Sequence, residues 1–446
     1  MDKPNIILIT CHDIGQHLGC YGVDTVCTPA IDEFASQSVR FENSFCTAPQ
    51  CSPSRASIYT GRYPHNNGVM GLTHFNFAWD LNPDEKHLNG YLQDAGYTTA
   101  LIGVQHETRY PERIGYDFFK AAGVDASSGK FGEQDGYDGN PPCELIAEDS
   151  ADYIKRHGDS QKPFYLQIGF FEPHRNFDFG GAKPDSSKGV FVPPYLVDEP
   201  SARDEFAEFQ GAIKKVDTAI GNIFKAVDQA GLRDNTIVIY TADHGIPFPR
   251  AKCTLYDAGL QVPFIIRWPQ RDWQGGRVQE EMISNIDYVP TLLDALGIDV
   301  PENVQGRSFT GLLDGSDYEP NQEIYGELTY HEYYDPMRCI RNAKYKLIAD
   351  FSSAPLIMNP SQTYRPNTIT VEPEEPSWAY NDYIQLYDLE NDPYEQNNLA
   401  DDKSFAEIKK ELSKKLLKWM HDTDDPLLKG AVTSPHHFKA MDLLKS

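Results

Sequence analysis

Positive charge is scarce in this chain. Against 66 Asp and Glu stand 40 Lys and Arg, a formal net charge of −26 over 446 residues. A field of that sign repels nucleic acid and anionic membrane surfaces, so an anionic ligand is admitted only where cations gather locally. No apolar run approaches the roughly 20 residues of a membrane-crossing helix. Met1-Asp2-Lys3-Pro4 leads directly into an apolar stretch at 5–10. A secretion signal would show an apolar segment of about 7–15 residues and a small-residue cleavage site. These absences give the expectation of a soluble, cytoplasmic chain with neither nucleic acid nor membrane among its partners. Cys11, Cys20, Cys27, Cys46, Cys51, Cys143, Cys253 and Cys339 follow no regular spacing and contain no Cys-x-x-Cys pair. That favours reduced thiols over a disulfide framework and argues against a structural zinc site. Internal repeats and low-complexity tracts are also lacking. A Pro- and Glu-rich segment at 360–376 reads as a surface loop.

What is present is globular: 40% hydrophobic residues, 25 Tyr and 23 Phe, enough for a large core and more than one ordinary domain. Apolar strand-like runs occur at 6–10, 98–103, 164–169, 236–241 and 262–267. Between them Phe206, Phe209, Ile213, Val216, Ile220, Ile223, Phe224 and Val227 recur at three- and four-residue steps, one apolar face of a long helix ending near Gly231. This alternation predicts an α/β fold, a large and mostly parallel sheet flanked by helices on both faces. The character changes near residue 320. Short strands are expected at 324–329, 344–349 and 377–386, and an amphipathic helix at 405–420. The division is 1–320 for a catalytic domain and 321–446 for a smaller subdomain of antiparallel strands plus a helix.

Ionisable residues gather where the strands of the first part end, the edge at which open α/β sheets place ligands. The first strand runs into Cys11-His12-Asp13, and the strand at 236–241 into Ala242-Asp243-His244. Asp and His at two strand ends can converge on one divalent cation, although either pair alone reads equally well as a turn or a cap. A third end reads Gly103-Val104-Gln105-His106, and a fourth leads to Phe171-Glu172-Pro173-His174-Arg175.

The most specific segment is Cys51-Ser52-Pro53-Ser54-Arg55-Ala56-Ser57-Ile58-Tyr59-Thr60-Gly61. Arg55 lies one helical turn from Cys51, and a helix beginning there would favour an anion at its amino terminus. The segment resembles the signature of the type I sulfatases, in the alkaline phosphatase superfamily, at every fixed position. The resemblance implies an alkaline phosphatase-like fold. It also implies oxidation of Cys51 to formylglycine by a formylglycine-generating enzyme, and hydrolysis of a small anionic sulfated substrate. It places Arg55, His106, His174 and Lys252 in the catalytic set, with Arg175 as a further cation. Asp13 and Asp243 fall on two of the family's four calcium ligands. His12 and His244 stand where the family carries Asp and Asn, and imidazoles suit manganese, iron or zinc better than calcium. Val104 stands where the family usually has a lysine, which removes one expected cation.

Within that family the chain looks like the N-sulfoglucosamine sulfohydrolases, the sulfamidases. The similar segments are 65–72, Glu172-Pro173-His174-Arg175, 243–249, His331-Glu332, Pro336-Met337-Arg338 and Leu386-Tyr387-Asp388. The resemblance implies cleavage of a sulfate ester or sulfamate on a sugar such as N-sulfoglucosamine, with glycosaminoglycan degradation as the setting. His331, Glu332 and Arg338 are candidates for substrate contact, with a domain-interface network as the alternative. The imidazoles at 12 and 244 keep a phosphonate or phosphate monoester hydrolase of the same superfamily as the second reading. A binding protein that has lost its chemistry is a third. Self-association is left open.

Overall fold

The computed structural model describes residues 3–74, 77–122, 140–158, 160–331, 333–353 and 380–446. The loop expected at 360–376 and Glu332 lie outside the described residues. An eight-stranded sheet dominates, in the order β5-β4-β6-β1-β7-β8-β2-β9. Its members in chain order begin with β1 (Asn5–Cys11), β2 (Val39–Phe41), β4 (Thr98–Val104) and β5 (Phe118–Ala122). They continue with β6 (Phe164–Gly169), β7 (Thr236–Ala242), β8 (Phe264–Arg267) and β9 (Arg277–Gln279). Strands β5, β4, β6, β1 and β7 run parallel; β8 is antiparallel to both β7 and β2. A two-residue pair, β3 (Ser44–Phe45) with β10 (Ile283–Ser284), lies beside it.

The central strands show no polar alternation because both faces are covered. Ile7, Ile9 and Cys11 of β1 enter one core, while Ile6 and Leu8 enter the other. Val238, Tyr240 and Ala242 of β7 divide from Ile237 and Ile239 in the same way. The helix Pro200–Gln229 lays Phe206, Phe209, Ile213, Val216, Ile220 and Ile223 on the first face. On the second face sit Ile58 and Tyr59 of the helix Cys51–Thr60 and Leu292 and Leu293 of the helix Tyr288–Ala295. Each large aliphatic or aromatic side chain buried in this way is worth about 1.5–3 kcal/mol, so the two layers anchor whatever the strand ends carry.

The second sheet is antiparallel and four-stranded, in the order β11-β12-β13-β14. It comprises β11 (Ile324–Tyr330), β12 (Tyr334–Arg341), β13 (Tyr345–Asp350) and β14 (Ile384–Asp388). The helix Ala406–Asp422 covers it, packing Leu412, Leu416, Trp419 and Met420 on Ile340, Leu347 and Leu386. Two expectations are corrected. Strand β14 begins at Ile384, with 380–383 outside it, while the expected start at 377 lies outside the described residues; its outer residue Ile384 is exposed. Strand β12 carries Asp335, Pro336 and Arg338 and has no apolar alternation, yet it pairs on both sides because those polar groups are buried among partners. All eight cysteines are free thiols. Among the described residues no helix is long and apolar enough to cross a membrane.

Candidate active site

Four neighbouring strands, β4, β6, β1 and β7, end on the same edge of the main sheet. Their ends deliver His106, His174, the pair His12-Asp13 and the pair Asp243-His244. The parallel register sets Cys11 opposite Ala242, so the two pairs lie side by side. Asp13 has a φ of 49° and His106 a φ of 71°, in the left-handed region that costs most side chains about 1 kcal/mol and that Asp and His tolerate best. Both turns therefore bring functional side chains back over the sheet edge.

Cys51 is the first residue of the helix Cys51–Thr60, whose ten residues are all buried. Gln50 enters in extended conformation, Pro53 suits the first turn, and Gly61 closes the helix at φ 68°. The thiol lies 3.5 Å from His244 Nε2. Burial opposes its ionisation, but Lys252, His12 and His106 hold the thiol well below its ordinary range. Arg55 points along the same helix into the sheet edge. Its Nε donates to Asp243 Oδ2 at 2.9 Å and Nη1 to the Val104 carbonyl at 3.4 Å. The guanidinium is fully buried, and only Nη2 is left without a partner. Ser54 Oγ also donates to the Asp243 carbonyl. Arg55 thus clamps Asp243, and through it the β7 end, onto the helix that carries Cys51.

Asp243 accepts from the amides of Asp13 and His244 through Oδ1, at 3.0 and 2.9 Å, and from Arg55 through Oδ2. His12 Nδ1 lies 3.0 Å from Asp13 Oδ1 and 3.0 Å from Asp243 Oδ2. His244 Nε2 lies 3.1 Å from Asp13 Oδ1 and 3.6 Å from Asp243 Oδ1. Ligand atoms of His12, Asp13, Cys51, Asp243 and His244 all fall within 4.8 Å of one another. Separations near 3 Å are the edges of a coordination polyhedron with bonds of ~2.0–2.4 Å. His244 Nδ1 donates to the Gly245 carbonyl at 3.0 Å, which leaves the Nε2 lone pair aimed into the cluster. The residues fit a divalent cation, and a set of two imidazoles and two carboxylates is one that manganese, iron or zinc accepts readily. The protein's own charges tell the same story. Burial disfavours the imidazolium, yet the carboxylates of Asp243 and Asp13 raise His244 to about 10. His12 is raised against burial by Asp243 and the Cys51 thiolate. Asp13, although buried, is held well below the carboxylate range by Lys252, His174 and His244. A cation would satisfy the same concentrated negative charge.

Lys252 donates to both oxygens of Asp13, at 3.0 and 2.8 Å, and lies 3.3 Å from His174 Nε2. Burial opposes its charge, but Asp13 and Cys51 keep the ammonium protonated far above neutrality. His174 Nδ1 donates to the Arg175 carbonyl at 2.5 Å, so its Nε2 accepts from Lys252, and burial drives its pKa down to about 4. His106 is buried, neither nitrogen makes a geometrically good hydrogen bond, and desolvation lowers it to about 3. Both imidazoles are therefore neutral near pH 7.

Three residues here carried no signal in the sequence. His74 packs its ring edge-on to His106, 4.7 Å between centroids. Glu107 accepts from Gln167 Nε2 at 3.0 Å under the β4 end, and burial raises it to about 8. Gln50, immediately before Cys51, donates to the Tyr330 carbonyl and so ties β11 to the start of the helix. A lone His, Glu or Gln in a loop has no periodicity to betray it.

Other expected site residues are employed elsewhere. Arg175 is buried, donates to Glu205 and to the Pro247 carbonyl (3.0 Å), and lies against the rings of Phe177 and Phe248. It buttresses the loop behind His174 instead of facing a ligand. Arg338 is fully buried and donates to Asp425 at 2.6 and 3.1 Å and to the Leu328 carbonyl at 2.8 Å. Glu327 stands 3.4 Å from it and 2.6 Å from His65 Nδ1. This is the interface network, since a guanidinium whose donors are used internally has none for substrate. His331 is buried beside Tyr330, with Nδ1 unpartnered. Arg338→Ala is expected to cost about 3–5 kcal/mol, because Asp425 and Glu327 are left buried without their cation. Urea unfolding checks this, and a loss under 1 kcal/mol would contradict it.

Comparison with known proteins bears on the family and the fold. The family model "Sulfatase" matches residues 4–298, and "N-sulphoglucosamine sulphohydrolase, C-terminal" matches residues 248–356. An ulvan-active sulfatase of Formosa agariphila is 32% identical over 97% of this chain and 83% of its own length. The N-sulphoglucosamine sulphohydrolase of Homo sapiens is 28% identical over 95% of this chain and 91% of its own. Among solved structures, the Bacteroides fragilis protein yidJ, a candidate sulfatase, superposes with a TM-score of 0.78 at 22% identity, covering 97% of this chain and 98% of that one.

Proposed function

The chain belongs to the sulfatase family of sulfuric ester hydrolases, and from that premise we propose a formylglycine- and metal-dependent sulfohydrolase. It acts on a sulfate ester or sulfamate of a sugar, with N-sulfoglucosamine as the reference substrate. The observation that carries this is the position of Cys51, the first residue of a buried helix, with its sulfur 3.5 Å from His244 Nε2 inside the five-residue ligand cluster.

Converted to formylglycine and hydrated, position 51 supplies the attacking oxygen, and a divalent cation on His12, Asp13, Asp243 and His244 supplies Lewis acidity there. The remaining work falls to side chains. The amino terminus of the Cys51–Thr60 helix and the Lys252 ammonium set positive potential where the sulfonyl oxygens sit. Arg55 holds Asp243, and hence the cluster, in register with position 51. His106, neutral and with uncommitted nitrogens, is the base that takes a proton from position 51. His174 faces Lys252 through Nε2, and one of these two gives the proton to the leaving oxygen or nitrogen. The S–O or S–N bond to the sugar breaks as that proton arrives; loss of the second hydroxyl's proton at position 51 to His106 then breaks the C–O bond to the sulfo group, sulfate leaves, and one water rehydrates the aldehyde.

The test begins with protein made alongside a formylglycine-generating enzyme. The peptide containing Cys51 should lose one sulfur and two hydrogens and gain one oxygen by mass spectrometry. That protein should then hydrolyse N-sulfoglucosamine or glucosamine 6-sulfate with a kcat/KM at least about a hundredfold above that for a phosphonate monoester. The reverse order would replace this reading by the phosphonate one, which the imidazoles of His12 and His244 favour. An unconverted thiol would remove the formylglycine route.

A further inference from the structure

A second cleft, of about 560 Å³, opens next to the metal-ligand loops. Gly15 and Ile246, two residues beyond Asp13 and His244, form part of its wall, and Arg250 lies two residues before Lys252. None of Cys51, His106, His174 or Lys252 lines it. Its volume falls within the range of small-molecule sites. Pro393, Tyr394 and Glu395 also line it, so residues from both sides of the seam between the two sheets build one cavity.

Tyr21, Phe191, Tyr195, Tyr256 and Tyr394 bring aromatic rings to the walls. Phe191, 37% exposed, sits 6.2 Å from the ring of His17. Tyr195 and Tyr394, also in the lining, pack at 6.2 Å, Tyr394 being 40% exposed. The Arg250 guanidinium stacks 4.4 Å over Tyr256 and donates to the Glu395 carbonyl at 2.7 Å. The polar groups are pre-oriented. Gln16 gives its amide hydrogens to the carbonyls of Glu42 (3.0 Å) and Val262 (3.1 Å), and Gln261 gives its own to Glu42 at 3.0 Å. Both carbonyl oxygens remain as acceptors. His17, lining the same cleft, is 4% exposed and its Nε2 has no partner.

Charge decides the class of ligand. Asp257 and Glu395 are neutralised by Lys346, at 2.5 and 2.8 Å, and Asp257 also by Arg341 at 3.1 Å. Arg250 gives one hydrogen to the Glu395 backbone carbonyl and stacks on Tyr256, with no carboxylate partner among the described residues. Asp24 stands exposed among the lining residues. The charges left over, Arg250 and Asp24, are of opposite sign, so a sulfated or phosphorylated group would meet no net positive charge among these residues. A neutral sugar meets rings for its C–H faces and fixed acceptors for its hydroxyls.

We infer that this cleft is a binding site for an unsulfated sugar unit, through which a saccharide substrate is held beside the catalytic pocket. The choice of a sugar rests on the function proposed above. Occupancy touches the loop 246–250, which leads directly to Lys252, so the cleft contributes to substrate affinity without entering the chemistry.

The experiment separates the two readings. Binding of three unsulfated disaccharides, of glucose, galactose and N-acetylglucosamine, is titrated calorimetrically into the Cys51→Ala protein, where turnover is not needed. At least one should bind, and Tyr394→Ala and Phe191→Ala, both at partly exposed positions, should weaken it about tenfold. In protein with Cys51 intact, the same two substitutions should leave hydrolysis of 4-nitrophenyl sulfate unchanged and raise KM for a sulfated trisaccharide about tenfold. Binding of none of the three sugars, or binding indifferent to both substitutions, overturns the cleft. Failure of wild-type protein on 4-nitrophenyl sulfate, with sugar binding present, counts against the sulfohydrolase and leaves the cleft standing.

Discussion

Cys51→Ala is expected to lower kcat by about 10⁴-fold or more, with little effect on folding. The expectation follows from what the pocket holds. Position 51 brings a convertible side chain to a helix amino terminus, 3.5 Å from His244 and under the field of Lys252. Removing a covalent nucleophile while its partners remain leaves only binding and electrostatic stabilisation, the residual typical of dismantled catalytic groups. The structural penalty is small, because one sulfur at the first turn of a packed helix is lost while Lys252 and His12 keep Asp13 and Asp243 as partners. Cys51→Ser is the useful companion, since it keeps the volume and still lacks the thiol chemistry. Steady-state kinetics on 4-nitrophenyl sulfate, alongside circular dichroism, make the check. Activity of Cys51→Ala within tenfold of wild type would leave metal-activated water as the nucleophile and end the covalent route.

Asp243→Ala should fail in two ways at once. Asp243 accepts from the amides of Asp13 and His244 and from Arg55, and it lies 3.0 Å from His12 Nδ1. Truncation strands the fully buried Arg55 guanidinium. An uncompensated buried charge of this kind costs about 3–5 kcal/mol, a large share of the 5–15 kcal/mol that folded domains possess. It also removes one of two carboxylates from the cluster, so divalent metal bound per chain should fall toward zero and kcat by about 10³-fold. Asp243→Asn keeps the volume and an acceptor for the two amides. Its NH₂ would face the Arg55 donor, so it should lose metal and activity with a smaller loss of stability. Elemental analysis and urea unfolding read the two effects separately. Undiminished metal content in both variants would remove Asp243 from the ligand set.

The same aspartate shows what a linear pattern can and cannot carry. Asp243 is visible at the end of an apolar run, and so are His12, Asp13 and His244, because parallel strands buried on both faces read as continuous hydrophobic stretches that stop abruptly. That Arg55 spends its guanidinium on Asp243 is invisible, since the two are 188 residues apart. Arg175 and Arg338 make the point from the other side. Their spacing beside motif residues suggests substrate contact, while Glu205 and Asp425 occupy them in the fold. Strand β12 escaped notice because its buried Asp335 and Arg338 break the apolar alternation that marks a strand.

By itself, then, the sequence determined the α/β class, the long covering helix, the strand ends that carry ionisable groups and the chemistry-bearing segment at Cys51. Those are properties of local periodicity and of residue types at short spacing, which the chain states directly. Tertiary structure alone decided which strands are neighbours, which arginines are buttresses, that His74 and Glu107 stand beside His106 and under the β4 end, and that a sugar-sized aromatic cleft spans the seam between the two sheets. Those depend on pairings between residues far apart along the chain, and a charge or a ring has the same letter whether it meets a ligand or another side chain.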